Sequence, residues 1–414
     1  MKSQSLRVLL ALTLGLATGM ALAWGSADAL ARIVPIADVI GTLWTNAIRM
    51  TVIPLVATLT VASVASTGGT GELKQAGTRA VLMFVTCLVA GGLLALVVAQ
   101  FSFADFTMPA DVIARLQVSV GAGEGTPALP SLAQRLIEIV PANPVKAAVD
   151  GALLPLVVFS LAIGFALKQV PAARRDPVID AARGVSDAML VVVGWVVAVA
   201  PIGVFALTLA LGARLGASSV GALARYIVTL SATLIIFTLL LYPVVVFIGR
   251  MPLRRFMAAA APAQVLAAGS RSSLSALPLM ISAARDRLGL SEAATGFVLP
   301  LAVSIFRVNV PMAWVVGVVF LGKLYGIPIS EATLLTLVVT STLLSFSVPG
   351  IPSGSLFLLA PVLVDIGLPA AGVGILIAVD VLPDMFKTLA NVTSHLTAAV
   401  LVSASDGSAP AQGA

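Results

Sequence analysis

The chain has 414 residues, of which 59% are hydrophobic and 10% are charged, and its net charge is +6. This balance, together with long apolar runs, excludes a soluble globular domain and a β-barrel and indicates an all-α polytopic protein of the lipid bilayer. Its Lys and Arg residues lie mostly between the apolar runs, which the positive-inside rule explains better than nucleic-acid binding, so no nucleic acid is expected as a partner.

Six membrane spans are predicted in the first 250 residues. The run at 8–24 follows Lys2 and Arg7 and is compatible with a signal peptide, but it is long for that role and further spans follow. We therefore expect a first transmembrane helix whose N-terminus is cytoplasmic, in a multi-pass protein of a bacterial inner membrane. The polar segment 105–143 is expected in the periplasm. The other five spans are approximately 38–66, 78–104, 144–168, 187–213 and 221–249.

Beyond residue 250, two apolar segments, 256–284 and 332–367, are interrupted by small and turn-forming residues at 269–275 and 349–355. Neither half of either segment is long enough to cross a bilayer, so each predicts a re-entrant hairpin whose tip lines a protein-enclosed cavity. The alternative is two ordinary spans kinked at Ser and Gly. Each segment precedes a longer helix, and this repetition is typical of an inverted repeat. The two longer helices are roughly 293–322 and 368–402.

The last of these helices carries a stripe of polar residues inside an apolar run. Its members are spaced four, three, four and four apart, which places them within an arc of about 80° on one helix face. A charged group at mid-bilayer costs about 2.5–3.5 kcal/mol, so the stripe must face protein or water. The alternative to a binding site is an ion-pair ladder, Asp384 to Lys387 at i,i+3, that only holds two helices together. The stripe consists of Asp380, Asp384, Lys387, Asn391 and His395, and Thr388 borders it.

The two predicted tips favour an anionic ligand, because hairpin tips expose backbone N–H groups and helix N-termini carry partial positive charge. Ser272 and Ser273 supply hydroxyls at the first tip. In the second tip, which includes Pro349, glycines at Gly350 and Gly354 allow close approach of the backbone.

The stripe adds groups of both charges to this predicted pocket. Asp384 can accept a hydrogen bond from an ammonium, Lys387 can pair with a carboxylate, and Asn391 can do either. An amino acid, anionic or zwitterionic, fits this set better than a neutral solute. The sequence contains neither a nucleophile–base pair nor a cluster of metal ligands, so we expect no enzymatic activity, no cofactor and no metal.

Six motifs occur in order along the chain. They are IRMTVIPL (48–55), VPANP and GALLPLVVFSLAIGFAL (within 140–167), APIGVFAL (200–207), SRSSLSALP (270–278), GIPSGS (350–355) and D-x3-D-x2-K-T-x2-N-V-T (380–393). In these motifs and their order the chain resembles the dicarboxylate/amino acid:cation symporter family, the homologues of glutamate transporters. The resemblance implies a symporter with eight transmembrane helices and two hairpins, a homotrimer and an elevator-like movement.

The resemblance also implies a division of the chain. Residues 1–250 form mainly a scaffold, although its third and sixth helices are expected to move with the transport core at 251–402. Residues 403–414 are expected to be a disordered tail. The implied substrate contacts are Ser273, the second tip, Asp384 for the amino group, Lys387, Thr388 and Asn391.

One departure from the family pattern concerns the substrate. Members that carry acidic amino acids typically have an arginine at the position of Lys387. Lysine keeps the charge but lacks the bidentate fork. Glutamate or aspartate, another amino acid and a dicarboxylate therefore all remain open as substrates.

A second departure concerns the coupling ion. Sodium-dependent members carry Asn-Met-Asp-Gly-Thr after a Leu-Pro-Leu. Here Leu-Pro-Leu is present at 299–301, but the motif positions at 306–310 read Phe-Arg-Val-Asn-Val. His395 replaces a second sodium-site aspartate, while Asp380 matches one that is retained. A hard cation needs several oxygen ligands, so we predict coupling to protons rather than to sodium.

Two substitutes for the cation are visible. In the first hypothesis Arg307 supplies a fixed charge that pairs with Asp380; the alternative, snorkelling to the interface, is disfavoured by a mid-helix position. In the second, His395 carries the coupling proton, since an imidazole changes its charge near neutral pH. Its alternative is a solvated imidazole near the cytoplasmic end of the helix.

Three functions follow from these observations. A secondary active symporter is favoured. An ion-uncoupled exchanger or uniporter of an amino acid is the second, because a fixed charge at Arg307 would abolish ion coupling. A sensor that binds ligand without flux is the third.

Overall fold

The computed structural model describes residues 2–24, 27–66, 71–108, 113, 137, 140–150, 152–215, 218–292, 294–348 and 353–405. Throughout these ranges the secondary structure is α-helical apart from two π-helical turns, and they contain no strand. The all-α class predicted from composition is therefore confirmed. Pro349, Gly350 and most of the segment 105–143 lie outside the described residues.

Within the described residues, eight helices form the first part of the chain. Three of them contain stretches long and apolar enough to span a membrane, at Leu30–Ala62, Gln75–Ser102 and Val220–Phe247. The helices are α1 (Lys2–Trp24), α2 (Ala27–Ser66), α3 (Gly71–Ser102), α4 (Pro144–Val149), α5 (Leu153–Leu167), α6 (Ala172–Ala198), α7 (Ala200–Leu215) and α8 (Ser218–Phe247).

The second part of the chain is built from shorter helices. A fourth apolar stretch of spanning length, Ala294–Tyr325, begins in a π-helical turn and is interrupted once. The helices are α9 (Leu253–Ser270), α10 (Ser273–Ser282), α11 (Leu299–Ile305), α12 (Asn309–Tyr325), α13 (Glu331–Ser345), α14 (Gly354–Phe357), α15 (Leu359–Asp365), α16 (Gly372–Val379) and α17 (Val381–Ser405).

Three predicted continuous helices are interrupted in the structure. The predicted span 187–213 is divided at Val199, where α6 and α7 meet at a bend of 56°. The predicted helix 293–322 stops at Phe306 and restarts at Asn309, and the predicted helix 368–402 is interrupted at Asp380. These three interruptions were not predicted from the sequence, although the stretch Ala294–Tyr325 is long and apolar enough to span a membrane. The last two breaks free backbone groups close to the polar stripe, where side chains can use them.

The predicted first hairpin has its break where the sequence placed it, since only Arg271 and Ser272 separate α9 from α10. The second predicted hairpin consists of α13 followed by α14 and α15, with residues 349–352 of its tip outside the described part. Residues 403–405 belong to α17, so the predicted tail begins later than expected, and 406–414 are not described.

The helices pack in two groups. In one, α2 contacts α5, α6 and α7, and α1 lies along α7. In the other, α17 contacts α8, α9 and α11, while α12 packs against α3, α8 and α13. Thus α3 and α8 pack with the hairpin-containing half of the chain rather than with their neighbours in sequence.

Glycines allow α1 and α7 to approach closely. Gly15 and Gly19 form a Gly-x-x-x-Gly pair on α1, and a methyl group added at Gly19 would overlap the carbonyl oxygen of Leu209. From the other side, a methyl group at Gly212 would lie 2.7 Å from the carbonyl oxygen of Leu16. Small residues at such interfaces let helix backbones meet in membranes.

This contact makes a stability prediction. We expect Gly19→Ala to destabilise the protein by about 1–3 kcal/mol, because the backbone of α7 cannot yield to the new methyl group. Thermal unfolding of the detergent-solubilised protein measures the effect. Gly184→Ala is the control, since nothing lies within 4 Å of a methyl group there. Equal melting temperatures for the two variants would contradict the packing argument.

Candidate functional site

The tip of the first hairpin is a tight turn between α9 and α10. Arg271 adopts a left-handed backbone conformation with φ of 52°, which reverses the chain. Ser272 caps α10 and accepts a hydrogen bond from the backbone N–H of Ser275 at 3.4 Å. Gln264 ties α9 to the rest of the core by donating to Tyr242 and to Thr393. The turn therefore holds Ser273, which is buried, at the start of α10.

The break between α11 and α12 exposes backbone carbonyl groups inside the protein. Ser345 braces it, because its hydroxyl accepts from the N–H of Arg307 at 3.3 Å and donates to the C=O of the same residue at 2.9 Å. Nη1 of Arg307 donates to the carbonyl oxygens of Val303 and Phe306. The guanidinium thus satisfies groups that the broken helix leaves unpaired.

His395 meets the same break from α17. Its Nε2 lies 2.8 Å from the carbonyl oxygen of Phe306 and donates to it, since a carbonyl can only accept. The side chain is fully buried, and its Nδ1 has no hydrogen-bond partner in the described part of the chain. The interpretation of His395 as a solvated imidazole is therefore wrong.

The interrupted helix α16–α17 carries a buried ion pair. Lys387 Nζ contacts Asp380 Oδ1, and their side chains are 1% and 0% exposed. The second carboxylate oxygen of Asp380 has no hydrogen-bond partner among the described residues. The hypothesis that Arg307 pairs with Asp380 is therefore wrong, because Asp380 pairs with Lys387. The alternative of an ion pair between Asp384 and Lys387 is wrong as well, because Lys387 pairs seven residues back.

Asp384 and Asn391 make contacts with the other elements. Asp384 Oδ2 lies 3.8 Å from Nη1 of Arg271, a distance that compensates charge without a hydrogen bond. Asn391 Oδ1 accepts from the backbone N–H of Asn309 at 3.3 Å. Thr388 instead donates to the carbonyl of Asp384 in its own helix. The first tip and the start of α12 therefore each contribute one residue that contacts the stripe on α17.

A cavity forms where these elements meet. It brings together residues of the first tip, of the break between α11 and α12, of the start of α14 and of α17. The start of α14 is held by Trp314, whose indole N–H donates to the carbonyl of Ser355 at 2.9 Å. The cavity is lined by Arg271, Ser272, Ser273, Arg307, Asn309, Val348, Gly354, Ser355, Asp384, Lys387, Thr388 and Asn391.

Eight of the predicted site residues therefore share one cavity. Asp380 lies behind Lys387, and His395 lies on the far side of the helix break; neither lines the cavity. Arg307 lies at the break and not in a continuous helix, so its predicted mid-helix position was wrong. Pro349 and Gly350 are outside the described residues.

Sequence reasoning missed Arg271, Asn309 and Ser345. A signal for Arg271 was present, because an arginine at the tip of an otherwise apolar hairpin requires a charged or wet partner. Ser345 gave no such signal, since its role depends on where α12 begins.

The family model for the sodium:dicarboxylate symporter family matches residues 5–405. The chain belongs to this family. Its members are transporters, which confirms the expectation of a multi-pass membrane transporter rather than an enzyme.

Three relatives illustrate the range of the family. The chain is 26% identical to the proton/glutamate-aspartate symporter of Escherichia coli over 96% of its own length and 91% of the relative. It is 27% identical to the proton/sodium-glutamate symport protein of Bacillus subtilis, covering 89% and 86%. It is 30% identical to the neutral amino acid transporter B(0) of Oryctolagus cuniculus, covering 93% and 76%.

The buried ion pair makes a stability prediction. We expect Lys387→Met to cost about 3–5 kcal/mol, because it leaves the carboxylate of Asp380 buried and unpaired. The double variant Lys387→Met with Asp380→Asn removes both charges and should regain most of that loss. Thermal unfolding without substrate tests this. If the double variant were no more stable than Lys387→Met, the two side chains would not be paired in the protein.

Proposed function

We propose that the chain is a secondary active transporter that imports an acidic amino acid across the bacterial inner membrane, with protons rather than sodium as the coupling ion. A dicarboxylate is the second substrate class. The names of the bacterial relatives, which are glutamate or glutamate-aspartate symporters, support this proposal at the level of substrate class. The cavity supports it independently.

The observation that carries the proposal is the charge of the cavity. Arg271, Arg307 and Lys387 line it together with Asp384, and Asp380 lies directly behind Lys387. Three cations against two carboxylates leave a net charge of +1 at their ordinary ionisation states. An acidic amino acid carries −1 and neutralises the site, whereas a neutral amino acid leaves the excess charge buried.

The oxygens of the carboxylates favour an amino acid over a dicarboxylate. Asp384 Oδ2 has no hydrogen-bond partner in the described part of the chain, although the side chain lines the cavity. A substrate ammonium would satisfy that oxygen, and a dicarboxylate has no such donor. Ser273 at the buried start of α10 offers a hydroxyl to a substrate carboxylate.

The contacts around the helix break argue against sodium. The retained carboxylate of Asp380 is paired with the ammonium of Lys387. The carbonyl oxygens of Val303 and Phe306 accept from Arg307 and His395. A hard cation requires several oxygen ligands, and here nitrogen donors of the protein already use them.

Two buried atoms of the described residues can accept a proton. Nδ1 of His395 is unpaired, since Nε2 carries the hydrogen that Phe306 accepts. Oδ2 of Asp380 is also without a partner in the part of the chain described. We propose these two atoms as the sites of the coupling proton.

An elevator-like movement and a trimer complete the proposal. The packing of α3 and α8 with the hairpin-containing half supports a transport unit that includes them. The group formed by α1, α2, α5, α6 and α7 would then be the scaffold through which three copies associate. The connection between the groups includes the contact of Thr60 with Ser347.

An ion-uncoupled exchanger is the second candidate function. The observation that favours it is the same Asp380–Lys387 pair, because a cation built into the protein needs no cation from solution.

We expect proteoliposomes to accumulate labelled L-aspartate or L-glutamate under an imposed proton gradient and not under a sodium gradient. Accumulation driven by sodium would contradict the assignment of the coupling ion. Counterflow without accumulation would identify an exchanger, and binding without flux a sensor. Liposomes without protein are the control for leakage.

The role of His395 has its own test. If its Nδ1 receives the coupling proton, His395→Gln should retain counterflow, because glutamine still donates to the carbonyl of Phe306, but should lose proton-driven accumulation about 10-fold or more. Ser394→Ala is the control on the same helix. Unchanged accumulation in His395→Gln would assign the proton to another group, with Asp380 next.

A further inference from the structure

Lys387 is poorly placed to hold a substrate carboxylate. Its ammonium is paired with Asp380, whose side chain is wholly buried and does not line the cavity. An ammonium whose charge is already compensated by one carboxylate binds a second one weakly, since both anions then share one cation in a low-dielectric site. A lysine also lacks the planar fork that holds a carboxylate in one orientation.

Arg307 faces the same cavity and lacks such a partner. Nη1 is engaged by the carbonyl groups of Val303 and Phe306, which are neutral. Nε and Nη2 make no hydrogen bond to any residue that the structure describes, and no described carboxylate lies within ion-pair distance of the guanidinium. Three N–H donors and an uncompensated positive charge are therefore available to a ligand.

The position of this guanidinium is fixed by its surroundings. Ser345 holds the backbone of Arg307 through two hydrogen bonds. The ring of the preceding residue, Phe306, stacks on Phe84 with 4.3 Å between centroids. A charged fork held in place before the ligand arrives loses little conformational entropy on binding.

We propose that Arg307, and not Lys387, binds the side-chain carboxylate of the substrate, while Lys387 acts as the internal counter-ion of Asp380. This assignment rests on the proposed function, because it presumes a substrate with two carboxylates. Its geometric basis is that Arg307 and Lys387 both line the cavity, and of these two only Arg307 lacks a carboxylate partner among the described residues. A carboxylate on Arg307 would receive a bidentate, charge-assisted contact.

The test compares L-aspartate with L-asparagine, which has the same shape without the side-chain charge. Affinity for each is measured by calorimetry on the purified full-length protein. We expect Arg307→Met to reduce the preference for aspartate over asparagine by about 100-fold, as the loss of a charge-assisted contact implies. The rival assignment, to Lys387, is tested by the double variant Lys387→Met with Asp380→Asn, which removes that cation together with its counter-ion. If Arg307 holds the side-chain carboxylate, the preference should change less than about 3-fold in this double variant.

Thermal unfolding of each variant, with and without aspartate, separates folding from binding. Arg307→Lys retains a donor for the carbonyl of Val303 and the positive charge, so it keeps the fold and should lose the preference by about 10-fold through loss of the fork. The assignment to Arg307 would be overturned if Arg307→Met kept the full preference for aspartate over asparagine. It would also be overturned if the double variant lost at least as much of that preference as Arg307→Met.

Failure of the assignment is distinguishable from failure of the proposed function. If the unmodified protein binds aspartate and Arg307→Met binds it equally well, only the assignment is overturned. If the unmodified protein binds none of L-aspartate, L-glutamate and succinate, the proposed function is overturned and the assignment with it.

Discussion

The ion pair between Asp380 and Lys387 is the constraint around which the second part of the chain, from α9 to α17, is arranged. A carboxylate that is fully buried in a membrane protein must be neutralised, and removing its partner costs several kcal/mol. The pair forms across the interruption between α16 and α17, so it also fixes how these two helices join. Because the charge of Lys387 is compensated by Asp380, any uncompensated positive charge in the cavity comes from other residues.

The second interruption, between α11 and α12, is stabilised by hydrogen bonds to backbone carbonyl groups and not by an ion pair. It exposes carbonyl oxygens, and two nitrogen donors from side chains, Arg307 and His395, bind them. Carbonyl groups at a broken membrane helix are suited to a cation or to protein donors. In this chain the donors are built in, so the break presents a guanidinium to the cavity instead of a set of open oxygen ligands.

The sequence was sufficient to predict the helical class, the break at Arg271 and Ser272, and the convergence of Ser273, Asp384 and Asn391. In a bilayer, charged residues and chain breaks inside apolar runs are tolerated only where they face protein or water, which limits where they can lie. The partners of the charged residues were not predictable. Helical spacing allows a contact of Lys387 with Asp384 at i,i+3 and with Asp380 at i,i+7, and spacing alone does not decide between them. The structure pairs Lys387 with Asp380.

Arg271 shows how charges that line the cavity compensate one another. At 3.8 Å from Asp384 it lies close enough to compensate the carboxylate and too far to occupy a lone pair of Oδ2. A shorter distance between Arg271 and Asp384 would compensate the carboxylate more completely, but the guanidinium would then compete with a ligand for the same oxygen. A longer one would leave a buried anion unsupported. The intermediate distance keeps the first tip in electrostatic contact with α17 and leaves Oδ2 without a hydrogen bond from Arg271, as the proposed binding of a substrate ammonium requires.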